Sequence, residues 1–280
     1  MTNSSLHGQS GGSPYDPEAF EVFASHTTKY DTLSGVLIDH IAREATSNRQ
    51  LRILDVGCGP GQLTFPLLAS LPRRLSVELV DYTGVDSRGR VLSDLQTALM
   101  ALEAGRSCKY SLTFIHSTAE DAIAVGQVSD QFDLILCSHM LYYVPRWQWL
   151  IRKLQSLLAP NCELCVILTA SFETLGMIRE IGEANGVSWC ATKPTASAFL
   201  KWLRSTGSAF TMERHFSSLS LTSVAEENRE RAVERLAMCF AFLSGQCERT
   251  IFVDAARRFL ESAQMEFPLA EDIFWLKHEE

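Results

Sequence analysis

The sequence predicts an α/β fold in which a seven-stranded, mostly parallel sheet is flanked by helices. From Leu51 onward, apolar runs of strand length alternate with stretches of helical periodicity, as expected when crossover helices join parallel strands. The first apolar run leads into Gly57–Gly61, a glycine-rich segment of the kind that turns a strand sharply into a helix. A chain of 280 residues with 46% hydrophobic side chains can bury a full core around such a sheet.

The elements are predicted in chain order from apolar spacing and from breaker residues. Two helices come first, Pro17–Ser25 and about Asp31–Thr46, the second with apolar residues at helical spacing. The predicted strands are Arg52–Val56, Ser76–Val85, Ser111–His116, Phe132–Ser138, Glu163–Thr169, a long Ser208–Leu221, and Asp272–Leu276. The predicted helices after the first strand are Gly61–Leu71, Ser87–Glu103, a weak one near Glu120, Arg146–Leu158, Phe172–Asn185, Ala196–Thr206, Ser223–Leu243 and Thr250–Ala263.

Composition argues against several partners and compartments. The chain has 25 basic and 33 acidic residues, a formal net charge of −8, and no Lys/Arg cluster, so neither nucleic acid nor an anionic membrane is expected as its main partner. No apolar run approaches the roughly 20 residues of a membrane span, and no secretory signal is visible, so we expect a cytoplasmic protein. Cys162 and Cys165 should point to opposite faces of one strand, which suits neither a metal clip nor a disulfide, and no metal site is predicted.

The glycine-rich segment is the most informative part of the chain. An apolar strand runs into Asp55, and Gly57, Gly59 and Gly61 follow before a helix whose free N–H groups can face an anionic group. Dinucleotide-binding folds use a related turn, but their pattern has glycine or alanine where this chain has Gln62. A tight turn without a ligand is the remaining alternative.

Asp55 two residues before the first glycine resembles the pattern of the Rossmann-like, class I S-adenosylmethionine (SAM)-dependent methyltransferases, over roughly residues 51–170. The resemblance implies SAM as cofactor and S-adenosylhomocysteine (SAH) as product. An acid beside glycine amides can satisfy both the ammonium and the carboxylate of the amino acid end of SAM.

The resemblance also implies where the rest of the cofactor lies. The second strand should end in an acid that accepts hydrogen bonds from the ribose hydroxyls, and Asp86 fits this position better than Asp81 does. The adenine should lie near Thr118 and Glu120, after the third strand, although family members often have an acid where this chain has Thr118. Ser138, at the end of the fourth strand, completes the expected cofactor contacts.

A closer resemblance comes from the segment after the fourth strand. Met140-Leu-Tyr-Tyr-Val144, the helix that ends in Leu154–Ala159, the segment Val166–Leu168 and the N-terminal Phe23–Lys29 resemble the histamine N-methyltransferase group over most of residues 18–277. The first residues are rich in Ser, Gly and Asn, and this composition predicts a disordered tail at 1–14. The resemblance implies a helical lid at 15–48 and a methyltransferase domain at 49–280, with a late helical insertion at about 223–265.

Three residues are expected to act at the acceptor: His139, Tyr143 and Lys29. Where the histamine enzymes have an acid this chain has Lys29, which either holds a substrate carboxylate or is a solvated lysine. His139 replaces a glutamine and is a general base, a donor that orients the acceptor, or a wall residue. One of the two tyrosines at 142 and 143 should line the pocket and the other should pack in the core. Glu271 and Asp272 either contact the substrate or lie on the surface.

The expected function is SAM-dependent methylation of a small molecule, with N-methylation of an amine preferred. The alternatives are O-methylation of a small carboxylic acid, methylation of a polypeptide, and a non-catalytic SAM-binding partner protein. A monomer and a dimer are both compatible with the sequence.

Overall fold

The computed structural model describes residues 17–44, 49–102, 108–170, 194–241, 254, 257–258 and 266–278. The predicted tail at 1–14, the predicted helix Phe172–Asn185 and most of Thr250–Ala263 therefore lie outside the described residues. No helix in the described part of the chain is long and apolar enough to cross a membrane.

Seven strands form one sheet, as predicted. They are β1 Gln50–Val56, β2 Leu79–Asp86, β3 Lys109–His116, β4 Phe132–Ser138, β5 Leu158–Thr169, β6 Phe210–Ser220 and β7 Glu266–Lys277. Their order is β3-β2-β1-β4-β5-β7-β6. The first five strands pair in parallel, and β7 pairs antiparallel to β5. The strand order reverses between β1 and β4, and at such a point the crevice beyond the carboxyl ends of the strands is where open α/β sheets bind ligands.

The described helices fall close to their predicted places. They are α1 Pro17–Ser25, α2 Lys29–Glu44, α3 Thr64–Arg74, α4 Gly89–Met100, α5 Ala119–Ala124, α6 Trp147–Gln155, α7 Ala196–Thr206 and α8 Glu226–Ala241, with a single 3₁₀ turn at Leu141–Tyr143. α3 begins at Thr64, whereas a start at Gly61 was predicted. Gly61 has φ +87°, which a right-handed helix cannot accommodate.

Four strands begin earlier than predicted, β1 and β3 by two residues each, and β5 and β7 by five and six. β5 begins at Leu158 and not at Glu163. Asn161 lies within a register shift between β4 and β5 and adopts φ +63°, and the strand continues through it. Asparagine tolerates the left-handed region better than most residues do. β7 begins at Glu266 and not at Asp272. In the extension of β5, Leu158 pairs with Phe132 of β4, a long-range contact that local apolar patterning does not reveal.

The sheet separates two apolar layers, and alternation along β5 and β7 decides which layer each side chain joins. On one face Cys165 and Trp275 pack with α2, α3 and α4, and on the other Val166 and Phe274 pack with α6 and α7. Cys162 packs on the face opposite Cys165, as predicted. The cysteines at positions 58, 108, 137, 162 and 165 are free thiols.

The chain divides into two compact units. The larger comprises residues 27–177, 191–219 and 267–280 and includes the sheet. The smaller comprises residues 1–26, 178–190 and 220–266, and in its described part α1 packs against α8. The segment predicted as a lid, residues 15–48, is thus divided, with α1 in the smaller unit and α2 in the larger. Its role as a lid stays a prediction.

Candidate active site

The turn after β1 is built from glycines in the left-handed region. Gly57 has φ +70°, and a Cβ there would lie 2.5 Å from the Cβ of Met140. The N–H groups of Gly57 and Cys58 both donate to the carbonyl oxygen of Val85, at 2.7 and 3.2 Å. The backbone of the turn is therefore held against the end of β2, and Met140 leaves no room for a larger residue at position 57.

Asp55 lies buried beneath this turn. Its Oδ2 accepts hydrogen bonds from Thr64 Oγ1 at 2.5 Å and from Tyr82 Oη at 3.2 Å. Gly84 makes room for the tyrosine, because a Cβ there would lie 2.9 Å from Tyr82 Oη. Burial raises the pKa of Asp55 to about 6, the charge of Asp86 adds to this, and the two hydrogen bonds oppose it. Asp55 therefore gains or loses its proton at a pH just below neutral.

Asp86 ends β2 at the same edge of the sheet and is also buried. Its Oδ2 accepts the N–H of Gly59 at 3.0 Å, so it is joined directly to the glycine turn. The backbone and the guanidinium of Arg88 supply the other donors. Asp81, the competing candidate, lies within β2 and away from the carboxyl edge. In the strand register it stands opposite Arg52 of β1 and Ser111 of β3.

The side chains predicted near the adenine already have protein partners. Thr118 caps α5, accepting the N–H of Asp121 at 3.1 Å and donating to its carboxylate at 2.7 Å. Glu120 pairs with Arg146 at 2.9 Å. Ser138 is partly buried at the end of β4. These contacts define where the side chains lie, and cofactor contacts by Thr118, Glu120 and Ser138 stay predictions.

His139 directly follows β4 and adopts φ +52°, while its N–H donates to the carbonyl of Ile167 at 3.0 Å. Its Nδ1 lies 3.5 Å from Thr169 Oγ1, and its Nε2 lies 3.8 Å from Glu271 Oε1. Burial, and then the charge of Lys29, hold the pKa of His139 well below its usual 6.5. The imidazole is therefore neutral at pH 7.

Lys29 and Glu271 form a buried ion pair. Their Nζ and Oε1 atoms are 2.9 Å apart, and the side chains are 6% and 3% exposed. Lys29 begins α2, and Glu271 lies on β7 directly opposite Thr169. The burial of Lys29 excludes the solvated lysine considered from the sequence.

A surface position for Glu271 and Asp272 is also wrong, because both residues are buried. The carboxylate of Asp272 is held by the guanidinium of Arg214, at 2.6 and 2.9 Å. As neighbours on one strand, Glu271 and Asp272 point to opposite faces of the sheet. Only Glu271 shares a face with Thr169.

Two buried polar atoms in this cluster, His139 Nε2 and Glu271 Oε2, have no hydrogen-bond partner within the described part of the chain. With its proton on Nδ1, toward Thr169, the neutral imidazole offers Nε2 as an acceptor. Leaving buried polar atoms unsatisfied costs about 1 to 3 kcal/mol each. The arrangement thus presents two neighbouring acceptors that suit a ligand with N–H or O–H donors.

Of the two tyrosines after β4, Tyr142 belongs to this cluster. Its hydroxyl accepts the N–H of Thr169 at 2.7 Å, and its ring centroid lies 6.3 Å from that of His139. Tyr143, the residue predicted to act at the acceptor, is 47% exposed. Tyr142 was one of the two tyrosines expected either to line the pocket or to pack in the core, whereas Thr169 was not predicted, and the only local signal for it was its nearness to a strand end.

The acceptor cluster and the glycine turn lie at adjacent strand ends. Met140, next to His139, packs on Gly57. β1 and β4 are neighbours in the sheet, so Asp55 and His139 lie near the same carboxyl edge. Among the described residues, no group of three or more His, Cys, Asp or Glu side chains is arranged to hold a metal ion.

Comparison with known proteins identifies the family. Residues 30–231 match the family described as a methyltransferase domain, which is more than half of the chain. The chain belongs to this methyltransferase family. Its glycine turn and acid pattern were predicted from the sequence to be those of a class I SAM-dependent methyltransferase, and family and fold confirm that class.

The curated relatives of this methyltransferase include enzymes that are named for different kinds of substrate. It is 34% identical over 118 residues to the ribosomal RNA small subunit methyltransferase G of Streptococcus equi subsp. zooepidemicus, a match that covers 42% of each chain. It is 28% identical over 156 residues to the ubiquinone biosynthesis O-methyltransferase of Vibrio vulnificus, covering 52% of this chain and 60% of the relative. These matches thus span less than two thirds of the relatives' own lengths.

Solved structures share the fold of this methyltransferase. The YcgJ protein of Bacillus subtilis superposes with a TM-score of 0.51 at 15% identity, covering 88% of this chain and 98% of the other. The plantazolicin methyltransferase BamL, solved with a triazolic desmethylPZN analog and SAH, gives 0.50 at 15% identity, covering 94% and 89%. The closer resemblance to the histamine N-methyltransferase group stays a prediction.

Proposed function

We propose that this methyltransferase transfers the methyl group of SAM to a small molecule whose accepting atom bears a proton, and that this atom is an amine nitrogen. The observation that carries the proposal is the pair of buried acceptors, His139 Nε2 and Glu271 Oε2. An ammonium or amine supplies donors to both atoms.

The cofactor fits the residues at the glycine turn. Asp55, once ionised, attracts the ammonium of the amino acid end, and the N–H groups at the start of α3 suit its carboxylate. Asp86 is positioned to accept the ribose hydroxyls. When bound there, SAM supplies a methyl group on a sulfonium, which is already activated for in-line displacement.

His139 then acts as the proton acceptor. A protonated amine has no lone pair for attack, so it must first lose a proton, and the neutral imidazole can take it on Nε2. With SAM bound, the freed nitrogen lone pair would form the new N–CH₃ bond as the S–CH₃ bond broke, and the electron pair would stay on the sulfur. The remaining contribution of the protein is to align the acceptor and to exclude water.

A small carboxylate acceptor is disfavoured by the charge of the cluster. Lys29 pairs with Glu271, so the positive charge that suggested a carboxylate anchor is already balanced. A substrate carboxylate would meet Glu271 and the lone pair of His139, and both oppose an anion. Ribosomal RNA is disfavoured as well, because the chain has a net charge of −8.

A hydroxyl acceptor is the second candidate. It is favoured by the similarity to the ubiquinone biosynthesis O-methyltransferase and by the same two acceptors, since an O–H group can donate to His139. The two candidates differ in the number of donors: an ammonium can donate to both acceptors, whereas a hydroxyl has one hydrogen and can donate to only one of them.

The experiment supplies labelled SAM with matched panels of amines, phenols and carboxylic acids, and detects methylated product by mass. Turnover of amines supports the proposal, turnover confined to phenols supports the second candidate, and turnover confined to carboxylic acids contradicts both. With the preferred acceptor, His139→Gln should lower kcat about 100-fold or more while SAH binding persists. His215→Gln, which changes a histidine paired with Glu213 on β6, is the matched control and should leave kcat unchanged.

A further inference from the structure

Asp86 accepts four hydrogen bonds on its two carboxylate oxygens. Oδ1 accepts the backbone N–H of Arg88 at 2.9 Å and its Nε–H at 3.0 Å. Oδ2 accepts the N–H of Gly59 at 3.0 Å and Arg88 Nη2 at 3.1 Å. A carboxylate offers about four lone-pair positions, so a further donor can bind well only by replacing one of these four.

The four donors are not equally replaceable. The N–H groups of Gly59 and Arg88 belong to the backbone that shapes the glycine turn and the start of α4. The other two belong to the Arg88 guanidinium, on a side chain that is 32% exposed and can rotate away. This guanidinium also lies near the turn, because a Cβ at Gly59 would be 3.8 Å from Arg88 Nη2.

We propose that Arg88 is a gate on the cofactor site, and that its guanidinium leaves Asp86 when the two ribose hydroxyls of the cofactor bind there. The proposal rests on the proposed role of Asp86 as the ribose acceptor. Two N–H donors leave and two O–H donors replace them, so the number of hydrogen bonds on the carboxylate is unchanged. What is lost is a bidentate ion pair with a buried carboxylate.

Cofactor binding must break this ion pair, so the free energy of the pair is subtracted from the free energy of binding. Partly exposed pairs contribute about 1 kcal/mol, and somewhat more when a guanidinium binds a carboxylate with two hydrogen bonds. Removing the guanidinium should therefore tighten cofactor binding about threefold to tenfold. Since salt screens the pair, the affinity of the wild-type protein should also rise with ionic strength.

The test is titration calorimetry of the full chain with SAH at pH 8. Arg88→Met keeps the length of the side chain and removes its donors, and Arg90→Met, at an exposed neighbouring position, is the matched control. We expect the Arg88 variant to bind SAH about threefold to tenfold more tightly and the Arg90 variant to bind like wild type. Equal or weaker binding by Arg88→Met would overturn the proposal.

Two further measurements keep the result interpretable. Arg88→Lys keeps the charge without the bidentate geometry and should fall between wild type and Arg88→Met. In wild type, SAH affinity should rise between low and high NaCl, and this rise should be absent from Arg88→Met; a rise of equal size in both proteins counts against the gate.

Asp86→Asn separates failure of the gate from failure of its premise. Wild-type SAH affinity in Asp86→Asn would remove the ribose acceptor and the gate together. Weakened binding in Asp86→Asn with unchanged binding in Arg88→Met would remove the gate alone. Neither outcome bears on the acceptor class, which the product assay decides.

Discussion

Lys29 Nζ lies 2.9 Å from Glu271 Oε1, and this pair sets the charge of the acceptor cluster. α2 supplies the lysine and β7 supplies the carboxylate, from opposite ends of the chain. Because the charges of Lys29 and Glu271 balance, the presence of this lysine does not make the cluster positive. One oxygen of Glu271 is left to face a ligand, beside the neutral imidazole of His139.

The first prediction concerns the stability of this ion pair. Lys29→Met leaves a buried carboxylate without its cation and should lower the free energy of unfolding by about 3 to 5 kcal/mol. Adding Glu271→Leu should recover much of that loss, because the uncompensated charge is then gone. Urea denaturation at pH 7 measures both effects.

Arg74→Met provides the control, since it breaks the Arg74–Asp39 pair, in which the side chains are 60% and 63% exposed. We expect a change of less than about 1 kcal/mol there. A similarly small loss for Lys29→Met would show that the Lys29–Glu271 pair is not buried in solution.

The second prediction concerns the pH dependence of stability through Asp55. Its pKa is raised from 3.8 to about 6, so between these values the folded state holds a proton that the unfolded state has lost. Stability should therefore fall as pH rises through this window, by about 3 kcal/mol for about two pKa units. Asp55→Asn removes this loss and should unfold at a higher temperature than wild type at pH 8.

At pH 4 the same substitution should have little effect, because Asp55 is then protonated in the folded protein. If ionised Asp55 attracts the cofactor ammonium, the substitution should weaken SAH binding at pH 8 and leave it little changed at pH 4. An equal gain in unfolding temperature at pH 4 and pH 8 would show that the charge of Asp55 is not its cause.

The third prediction concerns Tyr82, which positions Asp55. Its hydroxyl lowers the pKa of Asp55, so Tyr82→Phe should raise that pKa. SAH binding requires ionised Asp55. As the pH is lowered, the SAH affinity of the variant should therefore begin to fall at a higher pH than that of wild type. A series of SAH titrations from pH 5 to pH 8 measures the midpoint.

Tyr110→Phe is the matched control, because it removes another buried hydroxyl, one that donates to the carbonyl of Leu68 at 2.8 Å. Both variants should lose some stability, and only Tyr82→Phe should move the midpoint. A midpoint common to wild type and Tyr82→Phe would remove the tyrosine from the cofactor site.

The fourth prediction concerns Gly57. Gly57→Ala should abolish SAH binding and destabilise the fold, because its Cβ would clash with Met140 in addition to the strain of a left-handed alanine. Gly126→Ala is the control: Gly126 has φ +72°, and no atom lies within 4 Å of its added Cβ. Gly126→Ala should lower the free energy of unfolding only by the backbone strain, about 1 kcal/mol, and should leave SAH binding unchanged. Equal effects of the two substitutions on SAH affinity would contradict a close-packed turn.

The parts of the protein that were predictable from sequence are those encoded within a few residues. The strand that leads through Asp55 into three glycines is one continuous segment, and its apolar pattern and turn residues act locally. The alternation of strands and helices likewise predicted the sheet, and the family confirms the class of enzyme. Glu120 shows a limit of local patterns, because its carboxylate pairs with Arg146, which lies 26 residues further along the chain.

By itself, the sequence determined the α/β fold, the glycine turn and the class I methyltransferase family, because local spacing and backbone conformation are properties of short segments. Only the tertiary structure decided that Lys29 is neutralised, that Tyr142 and not Tyr143 joins His139, and that Glu271 faces the cluster. Those contacts depend on the antiparallel register of β5 and β7, in which Thr169 lies opposite Glu271. A shift of one residue would turn Glu271 to the other face of the sheet, and strand register is set by packing across the whole sheet.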